Sequence, residues 1–198
     1  MLIIGTGGMA REVAGIIEYD HPYNQLYFFN NIDKDTHLLW DKYPIYHSEE
    51  EILTHFKTNG NQFISCIANP LIRQRITEKI EQMGGVPGNA ISYRSDISHF
   101  ATFSTGIVVQ PACVVASDVE IKKGVFLNAH AIVGHDSIIG EYASLGPGCR
   151  ILGGVQIGSH SYIGCNSVIM PGVKIGSKVR IGVGKIIDQD IPDNSKII

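Results

Sequence analysis

Net charge and cysteine are scarce in this 198-residue chain, and long apolar runs are missing. Sixteen basic against nineteen acidic residues leave a net charge of −3 and a pI near 6.2. That balance argues against a nucleic-acid surface, which needs a concentrated positive field. No apolar stretch reaches the ~18 residues of a membrane span. Met1–Gly15 lacks the basic start of a secretory signal. The four cysteines are Cys66, Cys113, Cys149 and Cys165, and free thiols fit a reducing cytoplasm. What is present is a hydrophobic share of 44%, enough for a real core, and a length that suits one large domain or two small ones.

Seventeen consecutive six-residue units run from Ile91 to Pro192, and every first position, from Ile91 through Val109 and Val133 to Ile187, is aliphatic or aromatic. Fifth positions are mostly small or β-branched (Ser95, Cys113, Ala131, Ser137, Cys149, Ser161, Ser167), with Lys185 the exception. Such a fixed period means a solenoid, a hexapeptide β-helix. Three hexads close one triangular coil, so residues eighteen apart stack. First positions fill the prism, and fifth positions must be small where the walls converge. Gly at second positions, such as Gly134, Gly158 and Gly164, is expected to ease the corner dihedrals. Cys113 and Cys149 then lie roughly 9–10 Å apart, beyond disulfide reach. With strands ~4.8 Å apart the prism is roughly 25 Å long.

Before residue 91 the register is absent and strand alternates with helix. Leu2-Ile3-Ile4 reads as a strand, Gly5-Thr6-Gly7-Gly8 as a turn, and Ala10 to Tyr19 as a helix. Leu26 to Phe29 and Phe63 to Ile67 read as further strands. Asn69-Pro70 opens a helix whose apolar face is Leu71, Ile72, Ile76 and Ile80, ended by Gly84-Gly85. The expected organisation is a Rossmann-like α/β domain over residues 1–85, a link at 86–90, and an all-β parallel helix over 91–198. Ligand crevices belong at the carboxyl ends of such strands.

The glycine turn carries Gly5-x-Gly7-x-x-Ala10, a loose phosphate-approach pattern at a helix N-terminus. Asn30 and Asn31 stand where a nucleotide site usually has an acid. Among the solenoid histidines His99, His130, His135 and His160, only His135 has an acid next to it, Asp136, to fix its tautomer. His130 and His135 also share the five-residue offset of zinc sites resembling γ-class carbonic anhydrases. The third ligand there would stack at Arg94, which cannot bind zinc, so no metal is expected. Cys165 is an outward third position with no base stacked beside it.

Taken together, Ile4-Gly5-Thr6-Gly7-Gly8, Phe28-Phe29-Asn30-Asn31, Ile67-Ala68-Asn69-Pro70-x-x-Arg73 and Leu127-Asn128 followed by Val133-Gly134-His135-Asp136 resemble a known family. It is the bacterial sugar O-acyltransferases of the sialic acid O-acetyltransferase type, close to the N-acetyltransferases of UDP-4-amino-4,6-dideoxy sugars. The resemblance implies a left-handed helix and acetyl transfer from acetyl-CoA to a nucleotide-linked sugar. His135 would be general base, Asp136 its orienting acid, and Asn128 a further site residue. Gly5, Gly7, Gly8, Asn30, Asn31, Asn69 and Arg73 would line the nucleotide pocket, and Ser144 and Gly153 the coenzyme A groove. Three departures stand out: an asparagine pair where the family has acids, Ser144 where relatives often have a second histidine, and no Gly-x-Pro-Ala tail. A flat apolar wall and shared grooves imply a homotrimer of ~65 kDa. A metal hydratase and a non-catalytic sugar-nucleotide-binding scaffold stay open as alternatives.

Overall fold

Three buried aliphatic residues, Leu2, Ile3 and Ile4, form the central strand of the first of two units in the computed structural model, which describes residues 1–20 and 25–198. The units are Met1–Ala90 and Ile91–Ile198. In the first, β1 (Leu2–Ile4), α1 (Gly8–Asp20), β2 (Tyr27–Phe29), β3 (Leu38–Leu39), β4 (Tyr43–Tyr46), α2 (Glu49–Thr58), β5 (Gln62–Ser65), α3 (Pro70–Gln82) and β6 (Val86–Pro87) follow in order. The sheet runs β3-β4-β2-β1-β5-β6. It is parallel except for β3, which lies antiparallel to β4. Its central strands β1, β2 and β5 are buried on both faces, so they read as nearly continuous apolar runs rather than alternation. Leu2, Ile4, Phe29, Ile52, Phe63 and Ile80 form one side of that core.

Several sequence expectations are corrected here. The expected strand Phe63–Ile67 begins at Gln62 and ends at Ser65. Residues 38–58 hold β3, β4 and α2, none of which was anticipated. The signal for α2 was present as Ser48-x-x-Glu51: the Ser48 hydroxyl accepts the Glu51 N–H at 3.2 Å, and Glu51 Oε2 accepts the Ser48 N–H at 2.9 Å. Helix α3 is capped by Asn69 as expected, with Oδ1 accepting from Leu71 and Ile72. Its buried face, however, is Arg73, Thr77 and Ile80, while Leu71 and Ile72 are about half exposed. Residues 86–90 are not a bare link, because Val86–Pro87 pairs with Gln62–Phe63 as β6.

The second unit is a left-handed parallel β-helix of two-residue strands on three walls. The first wall carries Phe126–Leu127, Ser144–Leu145 and five other strands. The second carries Val114–Val115, Ile132–Val133, Arg150–Ile151 and three others. The third carries Ile138–Ile139, Gln156–Ile157 and three others. Until the last coil, strand residues pair with those eighteen further on, as Val133 with Ile151 and Ile151 with Ile169. First- and fifth-position residues fill a single core from Ile107 to Ile187.

Second-position glycines serve a different purpose from the one expected. The positive φ angles fall at fourth positions: Gly154 and Gly172, but also His130, Asp136 and Asn166. At second positions the requirement is space. A Cβ on Gly164 would stand 2.4 Å from the Gly182 carbonyl, and one on Gly134 would stand 2.7 Å from the Gly153 nitrogen. The corner of one coil is laid on the backbone of the next. Fifth positions do more than fit. Ser137, Ser161 and Ser167 donate their hydroxyls to the carbonyls of Leu152, Gly176 and Gly182 at 2.7–3.0 Å. Cys113 and Cys149 point their thiols at the carbonyls of Asn128 and Gly164 in the same way. These small side chains satisfy corner carbonyls that no strand ladder reaches.

The register is not perfect to the end. Ile175 pairs with Ile191, and Arg180 with Lys196, offsets of sixteen rather than eighteen. The last coil is two residues short, and the seventeenth hexad is therefore not a regular one. Ile191 and Ile197 take over the inward column in the shifted phase.

Candidate functional site

Two places gather the residues singled out from sequence. The first is the carboxyl end of the sheet in the first unit, where β1, β2, β4 and β5 stop side by side. Gly5, at φ +110, turns the chain between β1 and α1, and a Cβ there would lie 3.3 Å from the Cys66 carbonyl. Gly7 and Gly8 have open space around them, leaving the start of α1 approachable. Asn30 closes the end of β2. Its Nδ2 donates to Thr6 Oγ1 at 2.9 Å, and its Oδ1 accepts the N–H groups of Ile32 and Asp33 at 3.0 and 3.4 Å. Asn31 is exposed. Asn69 Oδ1 is engaged in capping α3. Arg73 is only 1% exposed and donates Nη1 to the carbonyls of Ile67 and Ala68, so it shapes the loop after β5 from beneath. Of this set, Gly7, Gly8, Asn31 and Asn69 are exposed.

His47, which sequence reasoning passed over, stands in the same row at the end of β4. Its Nδ1 lies 2.7 Å from the Asn30 carbonyl oxygen, and its N–H is held by Glu51 Oε2 at 2.9 Å. That donated N–H is the main reason the Glu51 carboxyl lies below its ordinary range. Nothing in the sequence flagged His47, because β4 itself was not recognised.

The second place is the corner between the second and third walls. Val133 anchors inward, Gly134 turns, and His135 projects outward with its side chain 70% exposed. Asp136 follows at φ +58, held by its N–H to the Ser117 carbonyl at 3.1 Å. That left-handed residue swings the carboxylate back beside the ring, and Asp136 Oδ2 meets His135 Nδ1 at 2.7 Å. The proton is therefore on Nδ1, and Nε2 is a free acceptor. The ring rests against Gly153 of the next coil: a Cβ there would stand 2.6 Å from both Cε1 and Nε2. The Gly154 N–H donates to the His135 carbonyl at 2.8 Å, locking the two corners together. Buried Ser137 supports the same corner, donating to Leu152 and accepting from the Val155 N–H at 3.2 Å.

Asn128 and Ser144 do not share that corner. Asn128 sits between the first and second walls, its Nδ2 donating to the Leu145 carbonyl at 2.6 Å. Ser144 lies on the first wall and is buried. The second wall, with Ile132–Val133 in it, separates Asn128 from His135. Among the described residues, no three His, Cys, Asp or Glu side chains converge as a metal site would require. Burial pushes the Cys113 and Cys149 thiols up to about 11, so neither is a ready nucleophile. Cys165 is partly exposed.

Comparison with known proteins bears on both places. Residues 1–80 match the PglD N-terminal domain, and residues 118–153 and 154–189 match the bacterial transferase hexapeptide (six repeats). A GDP-perosamine N-acetyltransferase of Escherichia coli O157:H7 is 30% identical over 124 residues, covering 54% of this chain and 56% of that relative's length. PerB from Caulobacter crescentus, solved in complex with CoA and GDP-perosamine, superposes with a TM-score of 0.89 at 25% identity over 97% of this chain and 90% of its own. The acetyltransferase domain of PglB from Neisseria gonorrhoeae, in complex with acetyl coenzyme A, gives 0.90 at 27% identity, covering 98% and 93%.

Proposed function

From a chain that belongs with the β-helical sugar acetyltransferases, joining a PglD N-terminal domain to transferase hexapeptide repeats, we infer acetyl transfer from acetyl-CoA to a nucleotide-linked amino sugar. The observation that carries this reading is the His135 imidazole, with Nδ1 tied to Asp136 and Nε2 turned to solvent on a bare glycine. The sugar nucleophile loses a proton as it attacks the thioester carbonyl. Neutral Nε2 takes that proton, and Asp136 stabilises the imidazolium that results. The tetrahedral oxyanion then collapses and the coenzyme leaves as a thiolate, with no covalent intermediate on the protein. The Gly153 N–H, for which no hydrogen-bond partner is found among the described residues, is the donor we assign to that oxyanion. This chemistry needs no metal.

The second wall presents Val114, Ile132, Val168 and Ile186 outward, an apolar stripe interrupted by Arg150. A threefold axis alongside that wall would bury the stripe. It would also set the His135 edge of one copy against the Asn128 edge of the next, which is how Asn128 enters the reaction. The expected assembly is a homotrimer of ~65 kDa by sedimentation. The glycine turn of the first unit receives the diphosphate at the N-terminus of α1. Four free cysteines fit a cytoplasmic setting. No helix among the described residues is long and apolar enough to cross a membrane.

A thiol-release assay with acetyl-CoA across UDP- and GDP-linked 4-amino sugars, their hydroxyl counterparts and free sialic acids tests the proposal. Turnover of an amino sugar that disappears in His135→Ala supports it. Turnover unaffected by that substitution removes His135 as base, and no turnover with any acceptor removes the activity.

A further inference from the structure

Helix α2 buries only Ile52 and His55, and His55 is 1% exposed. Its imidazole sits among aromatic rings: Tyr27 of β2 edge-on at 4.5 Å, Tyr46 of β4 at 5.5 Å and Phe56 at 6.0 Å. Nδ1 meets the Tyr46 hydroxyl at 3.3 Å, while Nε2 is buried and has no hydrogen-bond partner. One ring nitrogen is therefore unsatisfied in the neutral form, whichever tautomer is present. The charged form is worse off, because both nitrogens then donate and Nε2 meets no acceptor. Burial foremost, and then the Met1 ammonium, hold the His55 pKa below its ordinary value.

Beside this cage runs a groove of about 300 Å³, lined by Tyr46, Glu50, Glu51 and Thr54 as well as His55. Glu51 precedes His55 by one helical turn, the spacing at which side chains on a helix meet. The groove offers an imidazolium what the cage denies it, water and carboxylates. We propose that His55 is an acid-released latch: the neutral ring pins α2 to β2 and β4, and the protonated ring leaves the cage for the acidic groove and frees that edge of the unit. The latch reaches the row of strand ends through Tyr46. The Tyr46 hydroxyl touches the ring, its carbonyl accepts the Asn30 N–H at 2.9 Å, and Asn30 in turn holds Thr6 of the glycine turn. Acid therefore loosens the crevice without any group in the crevice itself changing charge.

The titratable and charged groups facing His55 are Tyr27 on β2, Tyr46 on β4, Glu51 on its own helix and the Met1 ammonium ahead of β1. Because the folded value lies below the unfolded one, the unfolded chain takes the proton first. The stability that depends on His55 is complete above about pH 6.5 and falls as pH drops from there toward the lowered folded value. Trp40, the sole tryptophan, stands in the turn between β3 and β4, so its fluorescence reports on this unit. Urea unfolding of the whole protein, followed at Trp40 at about pH 7.5 and about pH 5.5, compares the wild type with His55→Phe, whose ring fills the cage and cannot titrate. On acidification the folded-to-unfolded ratio of the wild type should fall by up to about tenfold more than that of His55→Phe, the effect of one proton over the pH unit below 6.5. His55→Leu gives the same comparison with a smaller side chain. Proton NMR of the wild type is a reading that needs no variant. The His55 imidazolium should appear only as the α2 amide resonances lose their native positions. Equal acid losses in the wild type and the variants overturn the latch, and so does a His55 ring that titrates at its ordinary value while α2 stays in place.

Discussion

The imidazole of His135 lies on Gly153 so closely that a single added methyl group would stand 2.6 Å from its Nε2. Gly153 thus leaves the space that the ring occupies. Its φ is not in the left-handed region, so alanine fits its backbone, and only the ring must move. Gly153→Ala should fold with an unchanged melting temperature and lower kcat by roughly 10²-fold, the scale of an ångström's misplacement. Full activity in that variant would show that the ring's seat is unimportant.

Loss of the base itself should cost more. His135→Ala is expected to reduce kcat by roughly 10²–10⁴-fold with the solenoid intact by circular dichroism. Asp136→Asn keeps a hydrogen-bond acceptor beside Nδ1 and should lose less than His135→Ala. A larger loss would give the carboxylate a role beyond orientation.

The two classes of solenoid glycine make opposite demands. Gly164→Ala forces a Cβ to within 2.4 Å of the Gly182 backbone and should destabilise by about 1–3 kcal/mol in thermal unfolding. Gly172→Ala meets nothing within 4 Å but sits at φ +73, and should cost about 1 kcal/mol from dihedral strain alone. Equal effects would mean that coil spacing relaxes freely.

This distinction bears on how far sequence carried. The hexad phase was plain because Ile, Val and Leu recur every six residues, and the prism follows from it. Why glycine recurs at second positions was not visible, since only stacking shows that Gly134 faces the Gly153 nitrogen. The His135–Asp136 pair was legible because adjacency in sequence became adjacency in space through one left-handed residue. His47 was not, because its significance lies in an Asn30 carbonyl seventeen residues away. Asn30 and Arg73 were named for side-chain types suited to ligands, yet the fold turns both toward its own backbone.

Inward serines should prove more than space-fillers. Ser161→Ala leaves the Gly176 carbonyl and the Val179 N–H without their shared hydroxyl, at 2.7 and 3.0 Å in the native chain. Chemical denaturation should show a loss of about 1–3 kcal/mol. Ser161→Cys, mimicking the bonds made by Cys113 and Cys149, should recover part of it.

Thiol reactivity follows from burial. The Cys113 and Cys149 thiols, raised to about 11, and Cys66, raised further still, are almost wholly protonated near neutral pH. Raised values mean less thiolate at any working pH, so alkylation of the native protein should label at most Cys165. Four thiols should react once the chain is denatured. Rapid native labelling of Cys113 would show that the prism opens.

Each coil is hydrogen-bonded only to the one above and the one below, and the irregular turn lies at the far end, near Ile191. His135 has two coils on one side, through Ser117 to His99, and three on the other, through Gly153 to Gln189. Fraying from either rim must dismantle whole layers before it reaches that ring. Amide exchange should therefore be slowest around residues 131–157 and fastest at the rims. The repeat array thus insulates one rigid spot in its middle and leaves its margins free to drift in sequence and length.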